Sequence, residues 1–561
     1  MHFKGFALER NKKEEKPMKK ILALVLALAM IATLGITSAF AEDDFVDGKF
    51  TTPHKITVEI FERPNDGNSD VTSNPFATYI KEGMLERYNV EVEFKPEGRW
   101  DEANDIPNLL ADGKAADVSY TYNSGAVIAY SAMTDANGNP GIIDLIPYLE
   151  QYKDQLGDLI ALLGGEEYLY YDKDPQSGAT YMIEAIKPDL ARITTFIRKD
   201  WLDALELAVP TTEEEFYNCL VAFRDNAEKL LGADASKMVP YSTSTDIGWR
   251  NDLLSISKVP EDITDEALFV YGYDDRHLLY PGYKEGIRVL NKWYNEGLVW
   301  KDFGEHTDAT DEDNMMKAGY VGAFMHNWDY PYRNGEDSIA NNLKRNVGEN
   351  AEYIPIDCFK NDAGITRKYV GSPVGSDRKV FLPSTNKEVL ASLLYINFIS
   401  SQDVITFLQT GKEGVNYELT PEGAYKNLGA TGEWIMNSGM NIDYTMTLNG
   451  YHLGDATDAT RALAYPGIEP EMVTLANEYG YSNYRIAKHF NVGVVESETE
   501  VGGSLTSKRD ELLTKAVTAS VEDFDKVYDQ YMADYMSIGG EDIINERIEK
   551  LQEIYGITFE K

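Results

Sequence analysis

Between Lys55 and Tyr122 the apolar periodicity of the chain changes character five times. KITVEIF (55 to 61) alternates apolar and polar residues as a strand does, and Phe76, Ile80 and Met84 then recur at helical spacing. NVEVEF (89 to 94) is a second strand, Ile106 to Ala111 opens another helix, and ADVSYTY (116 to 122) is a third strand. A β-α-β-α-β order requires helical crossovers, so it predicts a parallel sheet covered by helices, with ligands at the carboxyl ends of its strands. The same grammar restarts at Ile193 to Ile197 (ITTFI), followed by a short helix over Trp201 to Leu207. Pro210 then precedes Thr211 and Thr212, whose Glu214 and Glu215 three residues on form capping boxes, and Phe216, Leu220 and Phe223 give the next helix one buried face. A second α/β lobe begins there. Further helical patterns run over Tyr283 to Tyr294 and Lys387 to Leu408. Phe524, Val527, Tyr528 and Tyr531 mark another helix, and Ile544, Ile548, Leu551 and Tyr555 the last. The chain has 561 residues, 43% of them hydrophobic, which is too many for one ordinary domain. No repeat and no long linker divides it, so short crossovers are expected to join the lobes.

The N-terminus carries Lys19 and Lys20, the apolar run Ile21 to Ile36, and Ala39-Phe40-Ala41 before an acidic start at Glu42, the three parts of a secretory signal in order. Residues 1–17 fit no part of a signal and read as an extension ahead of a true start at Met18; 18–41 is the signal peptide, cleaved near Ala41, and 42–54 a linker. No other stretch is long and apolar enough to cross a bilayer. The mature protein is expected outside the cytoplasm, secreted or held at the cell surface, and no Cys stands near the cleavage site to carry a lipid.

The formal charge is −40, and removing residues 1–41 leaves 46 basic against 90 acidic residues, or −44. Such a surface excludes nucleic acid as a partner. Cys219 lies in an amphipathic helical pattern, where a buried free thiol is the commoner state, although one bridge to Cys358 is available to an exported chain.

Enzymatic signatures are missing. No glycine-rich phosphate loop, H-E-x-x-H or G-x-S-x-G occurs, and the seven His are scattered with no pair at metal-ligand spacing. With 93 acidic residues, any pair of carboxylates chosen as a glycosidase centre has almost no specificity. Asp135, Asn137 and Asn139 alternate as calcium ligands do, but the distal Glu is lacking and a tight turn explains the string better. Neither metal nor cofactor is expected.

Several segments together resemble the family 1 extracellular solute-binding proteins of ABC importers. They are ITVEI near the start, LLADGKAADV (109 to 118), FIRKDWLDALELAVPTTEEEF (196 to 216), NEGLVWKDF (295 to 303), MKAGYVGAFMHNWD (316 to 329) and GGEDIINERIEKLQEIYG (539 to 556). The paired R-K-D-W-L and P-T-T-E-E-F motifs are the most specific. The resemblance implies a two-lobe, type II periplasmic-binding-protein-like α/β fold with a hinge and an interlobe ligand cleft. It implies one lobe from 55–186 plus about 379–440 and a second from 187–378 plus about 441–561, with IEAI (183 to 186) as the first crossover and 379–383 as the return. It also implies a monomer that closes on a carbohydrate, an oligosaccharide by first preference, and delivers it to permease subunits without catalysis. A receptor for peptides or another polar solute is the alternative of the same class, and a secreted polysaccharide-active enzyme that of another. The chain departs from the family in lacking a lipidated Cys and in having Arg224-Asp225-Asn226-Ala227-Glu228 where some relatives have a calcium loop.

A sugar cleft combines aromatic platforms with planar polar side chains, and the chain has 36 Tyr and seven Trp. Trp328 leads the candidates because GAFMHNWDYPYRN runs a strand into a polar loop that resembles the sugar-stacking segment of maltose-binding protein; Asp329 and Tyr330 share that loop. Trp249 and Arg250 end the polar loop STSTDIGWR. Tyr120, Tyr122 and Asn123 stand at the carboxyl end of the third strand. Glu62 and Arg63 follow the first strand and Glu184 sits in the crossover, each equally able to form a salt bridge. Trp100 is a loop aromatic suited to a rim. Trp201 and Trp293 lie in helical patterns and read as core.

Overall fold

The structure is a computed structural model that describes residues 44–561 except 64–68, 100, 134–139, 189–191, 244–245, 275, 306–309 and 372–373. The expected signal peptide, the Asp135 string and the rim candidate Trp100 therefore lie outside the described residues. The chain divides into two compact units, Met1–Pro53 and His54–Lys561. In the first, Phe45–Val46 and Lys49–Phe50 pair antiparallel across Asp47 and Gly48, both with positive φ, the two-residue turn that matches the twist of a hairpin.

The second unit starts with β1 (His54–Glu62), followed by a helix over Pro75–Tyr88, β2 (Val90–Gly98), a helix over Glu102–Ala111 and β3 (Ser119–Thr121). β1 and β2 are parallel, and Val58 bridges Val118 in the same sense. Alternation in β1 is enforced by burial of Ile56, Val58 and Ile60, while Phe76, Ile80 and Met84 present the buried stripe of the covering helix. Asn74 caps that helix by accepting from the Ala77 amide at 2.9 Å.

The chain then forms β4 (Ile183–Ile186) and enters a second sheet through β5 (Ile193–Arg198), β6 (Val239–Ser242), β7 (Val321–Asn327) and β8 (Tyr353–Ile356), ordered β8-β5-β7-β6. The helix over Glu213–Asp225 begins on Thr212, whose Oγ1 accepts from the Glu215 amide at 3.2 Å, while Glu215 reaches back to the Thr211 amide at 2.8 Å. Its Phe216, Leu220 and Phe223 are fully buried, with Trp201 edge-on to Phe223 and Trp293 against Phe216. Cys219 and Cys358 are both buried in this core and unbridged.

After β9 (Lys368–Val370), β10 (Val374–Phe381) returns to the first sheet between β3 and β4, antiparallel to both. β9 pairs in parallel with β11 (Tyr484–Ile486). The expected single helix over 387–408 is two, Val389–Ile399 and Gln402–Thr410, the first buried on every side. Residues 441–449, assigned from sequence to the second lobe, make their contacts on the first: Asp443 with Arg63, Tyr444 with the Val71 carbonyl, Leu448 with Ile186, and Asn449 with Asp377. A long helix over Glu496–Thr518, which carries no periodic apolar pattern, packs on the Tyr283–Asn295 helix, where Asn291 donates to the carbonyls of Ala516, Val517 and Ala519. Among the described residues no single helix is long and apolar enough to cross a membrane.

Candidate functional site

A cleft of about 1110 Å³ opens where β4 and β10 join the two sheets. Asn123 at the end of β3 and Glu184 of β4 line it from the first lobe, Trp249 and Asp252 from the short helices Ile247–Arg250 and Asp252–Ile256 after β6, Tyr369 from β9, and Arg509 from the Glu496–Thr518 helix.

Three of the sequence candidates line this cavity. Trp249 is half-buried, with the Arg192 guanidinium 5.2 Å from its ring centre and His326 edge-on at 4.9 Å. Asn123 caps the helix Ser124–Ala132, accepting from the Ala126 amide at 3.3 Å, and its exposed side reaches the cleft. Glu184 is 3% exposed; burial drives its carboxyl well above the usual range although Lys379 stands 3.6 Å away, and the neighbouring Asp172 acts in the same direction as burial.

The others stand elsewhere. Trp328 is 6% exposed, edge-on to Tyr465 with centroids 5.9 Å apart, and packs in the core of the second lobe. Asp329 is held by Arg333 at 2.7 and 2.9 Å and by the Tyr465 hydroxyl at 3.0 Å. Tyr330 lies flat on His326 and donates to Asp313 at 2.6 Å. Arg250 is a buried scaffold cation, bidentate to Glu312 at 2.8 and 2.9 Å and donating to the Met325 carbonyl. Tyr120 is fully buried, with its hydroxyl 3.3 Å from the Asp443 carbonyl, and Tyr122 carries Arg99 4.0 Å above its ring. Arg63 pairs with buried Asp443 at 2.5 and 3.0 Å, the salt-bridge alternative weighed from sequence, and Glu62 is exposed at the end of β1. Loop context alone does not separate these positions, because a loop that ends a strand points inward as readily as toward a cavity.

Residues that sequence reasoning missed make up most of the cleft. Arg276 and His277 belong to the loop after the Asp265–Tyr271 helix; His277 contacts Asp252 at 2.9 Å, and Arg276 holds Asp246 at 2.6 Å. Tyr171 stacks on His489, centroids 4.3 Å apart, and presses on the hinge strand at Gly375. Gly375 has φ +89°, and a Cβ there would stand 2.3 Å from a Tyr171 ring carbon, so only glycine fits. β10 is also irregular here, its register with β4 shifting between Val374 and Lys379. The one sequence signal available for this region was a strand carrying three consecutive charges, Asp377, Arg378 and Lys379, all of them buried.

Comparison with known proteins gives the class. No protein-family model matches the chain. It is 23% identical over 423 residues to Lipoprotein LipO of Bacillus subtilis (strain 168), covering 73% of this chain and 75% of LipO. It is 25% identical over 246 residues to the polygalacturonan/rhamnogalacturonan-binding protein YtcQ of the same organism, covering 43% of this chain and only 46% of YtcQ. The S. pneumoniae ABC-transporter substrate-binding protein FusA, solved as an EF-hand mutant in complex with fructo-nystose, superposes with a TM-score of 0.62 at 16% identity, covering 90% of this chain and 100% of FusA. The fold is thus that of the two-lobed, type II solute-binding proteins, with a hinge and a cleft between the lobes. At the level of fold this bears out the resemblance to the family 1 extracellular solute-binding proteins of ABC importers.

Proposed function

We propose that the protein is the extracytoplasmic receptor of an ABC importer, binding an oligosaccharide in the interlobe cleft and presenting it to membrane permease subunits as an exported monomer. The carrying observation is the composition of the cleft at the hinge. A half-buried Trp249 ring and the Tyr171 ring stand among fixed carboxylates, amides and cations contributed by both lobes. Aromatic faces bind the C-H patches of a pyranose, and planar polar groups take its hydroxyls. The names of YtcQ and of the FusA complex support a carbohydrate over a peptide.

Closure follows from the connections. β4 and β10 are adjacent strands that both carry the chain between lobes, so a small change in their dihedrals swings one lobe against the other. Ligand contacts made to both lobes exist only in the closed state, and their free energy shifts the population toward it. We place lobe boundaries at residues 186–193, 370–374 and 449–457 on the contacts above.

The hydrolase reading has a specific candidate in the cleft carboxyls of Asp172 and Glu184. Glu184 is 3% exposed and lies close enough to Asp172 for that group to raise its carboxyl further, whereas carboxyls that flank a glycosidic bond stand about 5 Å or more apart, on either side of the substrate. Binding without bond cleavage is the better account. Calorimetric titration of the mature chain with neutral and acidic oligosaccharides and with peptides tests it. Micromolar binding of a saccharide recovered intact after overnight incubation is expected. Binding of peptides alone would sink the carbohydrate reading, and cleavage abolished by Glu184→Gln would sink the receptor reading.

A further inference from the structure

The charge lining the cleft runs against the charge of the chain. Over the whole sequence 93 Asp and Glu outnumber 53 Lys and Arg, yet the cleft is lined by eight Lys and Arg against five Asp and Glu. Four of its five carboxylates are also committed. Asp274 holds Arg509 at 2.8 Å, Glu498 holds Arg547 at 2.7 Å, Asp252 faces His277 at 2.9 Å, and Glu184 stands 3.6 Å from Lys379.

Arg509, Arg547 and Lys379 are taken by those pairs, and Arg276 and Lys187 by Asp246 at 2.6 Å and Asp377 at 3.4 Å behind the wall, but two lysines of the cleft have no carboxylate partner among the described residues. Lys488 lies exposed at the cleft with its ammonium 4.6 Å from the Phe490 ring centre, and it pairs with no carboxylate among the described residues. Lys368 is 4% exposed and gives its hydrogen bonds to two neutral acceptors, the carbonyls of Tyr479 at 2.7 Å and Ser482 at 3.0 Å.

At physiological salt the Debye length is about 8 Å, so the distant acidic surface is screened inside the cleft and the lining decides which ligand charge is favoured. A concave, partly dry wall also focuses the field of its own charges. A neutral sugar would leave the Lys488 ammonium facing water. A sugar carboxylate would pair with it through charge-assisted hydrogen bonds, roughly twice as strong as neutral ones.

Resting on the carbohydrate reading above, we propose that the ligand is an acidic oligosaccharide, a short chain of uronate units, with Lys488 contacting a carboxylate and Trp249 stacking on a ring. The mature protein is titrated calorimetrically with uronate di- to tetrasaccharides of the galacturonate, glucuronate and mannuronate/guluronate types, and with the same compounds methyl-esterified. At least one acid is expected to bind tenfold or more tightly than its ester, with the gap closing as NaCl rises from 50 to 500 mM. Lys488→Gln is expected to weaken the acid threefold or more and to leave the ester unchanged. Esters or neutral oligosaccharides binding as tightly as the acids would overturn the proposal while leaving the carbohydrate receptor intact. So would the failure of every uronate to bind at 1 mM while a neutral sugar binds. Binding of peptides and of no saccharide, acidic or neutral, would remove both readings.

Discussion

Arg250 separates a ligand-binding arginine from a scaffold arginine, and Glu312→Gln is the perturbation that decides between them. The Arg250 side chain is 3% exposed and that of Glu312 0%, so solvent does nothing to soften the loss of either charge. The pair is bidentate at 2.8 and 2.9 Å, the arginine Nε is spent on the Met325 carbonyl at 2.9 Å, and Ser242 donates to the same glutamate at 2.7 Å. Breaking a buried pair from one side costs about 3–5 kcal/mol because the remaining charge is uncompensated. Glutamine keeps the volume and one acceptor oxygen but turns a donor toward a guanidinium that has only donors, so about 3 kcal/mol is the expected loss. Domain stabilities lie at about 5–15 kcal/mol, which makes this a large fraction. Urea unfolding followed by tryptophan fluorescence measures it, and titration of the tightest oligosaccharide at 25 °C measures the site. The expected result is a loss of about 3 kcal/mol with affinity unchanged within twofold, and substantial recovery in Arg250→Met/Glu312→Leu, where no charge remains. A stability loss under about 1 kcal/mol accompanied by a tenfold loss of affinity would refute the argument and return Arg250 to the ligand.

Trp249→Ala is expected to weaken the tightest sugar at least tenfold, about 1.4 kcal/mol, with little change in stability. Trp328→Ala should cost about 3–5 kcal/mol of stability as a buried truncation, with affinity held within threefold; titration and urea unfolding of both variants distinguish them. Lys368 is held down to about 8 by burial, against an ordinary value of 10.5. The folded state therefore binds fewer protons than the unfolded chain between about pH 8 and 10.5, and stability rises with pH through that window, by about 3 kcal/mol at its upper end. Comparing urea midpoints of Lys368→Met and the parent from pH 7 to 10.5 should reveal that slope in the parent only. Gly375→Ala should lose about 2 kcal/mol or more from its positive φ and its clash with Tyr171, and weaken sugar binding as well, readable in the same two assays.

How much was legible depended on whether one face of an element carries the burial. β1 and the Pro75–Tyr88 helix were plain because Ile56, Val58, Ile60, Phe76, Ile80 and Met84 fall on single faces at the right periods. Trp201, expected in the core from its helical pattern, is buried there beneath Arg198, which is itself wholly buried, bidentate to Asp200 at 2.7 and 2.8 Å and bonded to the Gly319 carbonyl. The Glu496–Thr518 helix gave no signal because Glu498 and buried Arg509 fall on the same face as Leu505 and Leu512, interrupting the apolar stripe, while Gly502 and Gly503 dilute it. β10 showed no periodic pattern for a related reason, since the buried charges Asp377, Arg378 and Lys379 separate Val374 from Val380 and Phe381; only its end falls in the return over 379–383 that the resemblance implied.

The site itself was the least legible part, and the reason is topological. A cavity between two lobes draws Asn123, Glu184, Trp249, Tyr369, His489 and Arg509 from segments up to 386 positions apart, so no local period or spacing joins them. Position at the end of a strand selected Asn123 and Trp249, which line the cleft, but it selected Tyr120, Arg250 and Trp328 by the same logic, and these turn into the core. Their difference lies in which partners await them. Arg250 meets Glu312, Tyr120 meets the Asp443 carbonyl and Trp328 meets Tyr465, each supplied by another part of the chain. Trp249 meets Arg192, a second charge at the wall of the cleft. A polar or aromatic side chain that its own fold satisfies is scaffold. In this cleft the side chains left for a ligand are those whose partners are neutral or themselves face the cavity, and they carry the positive excess.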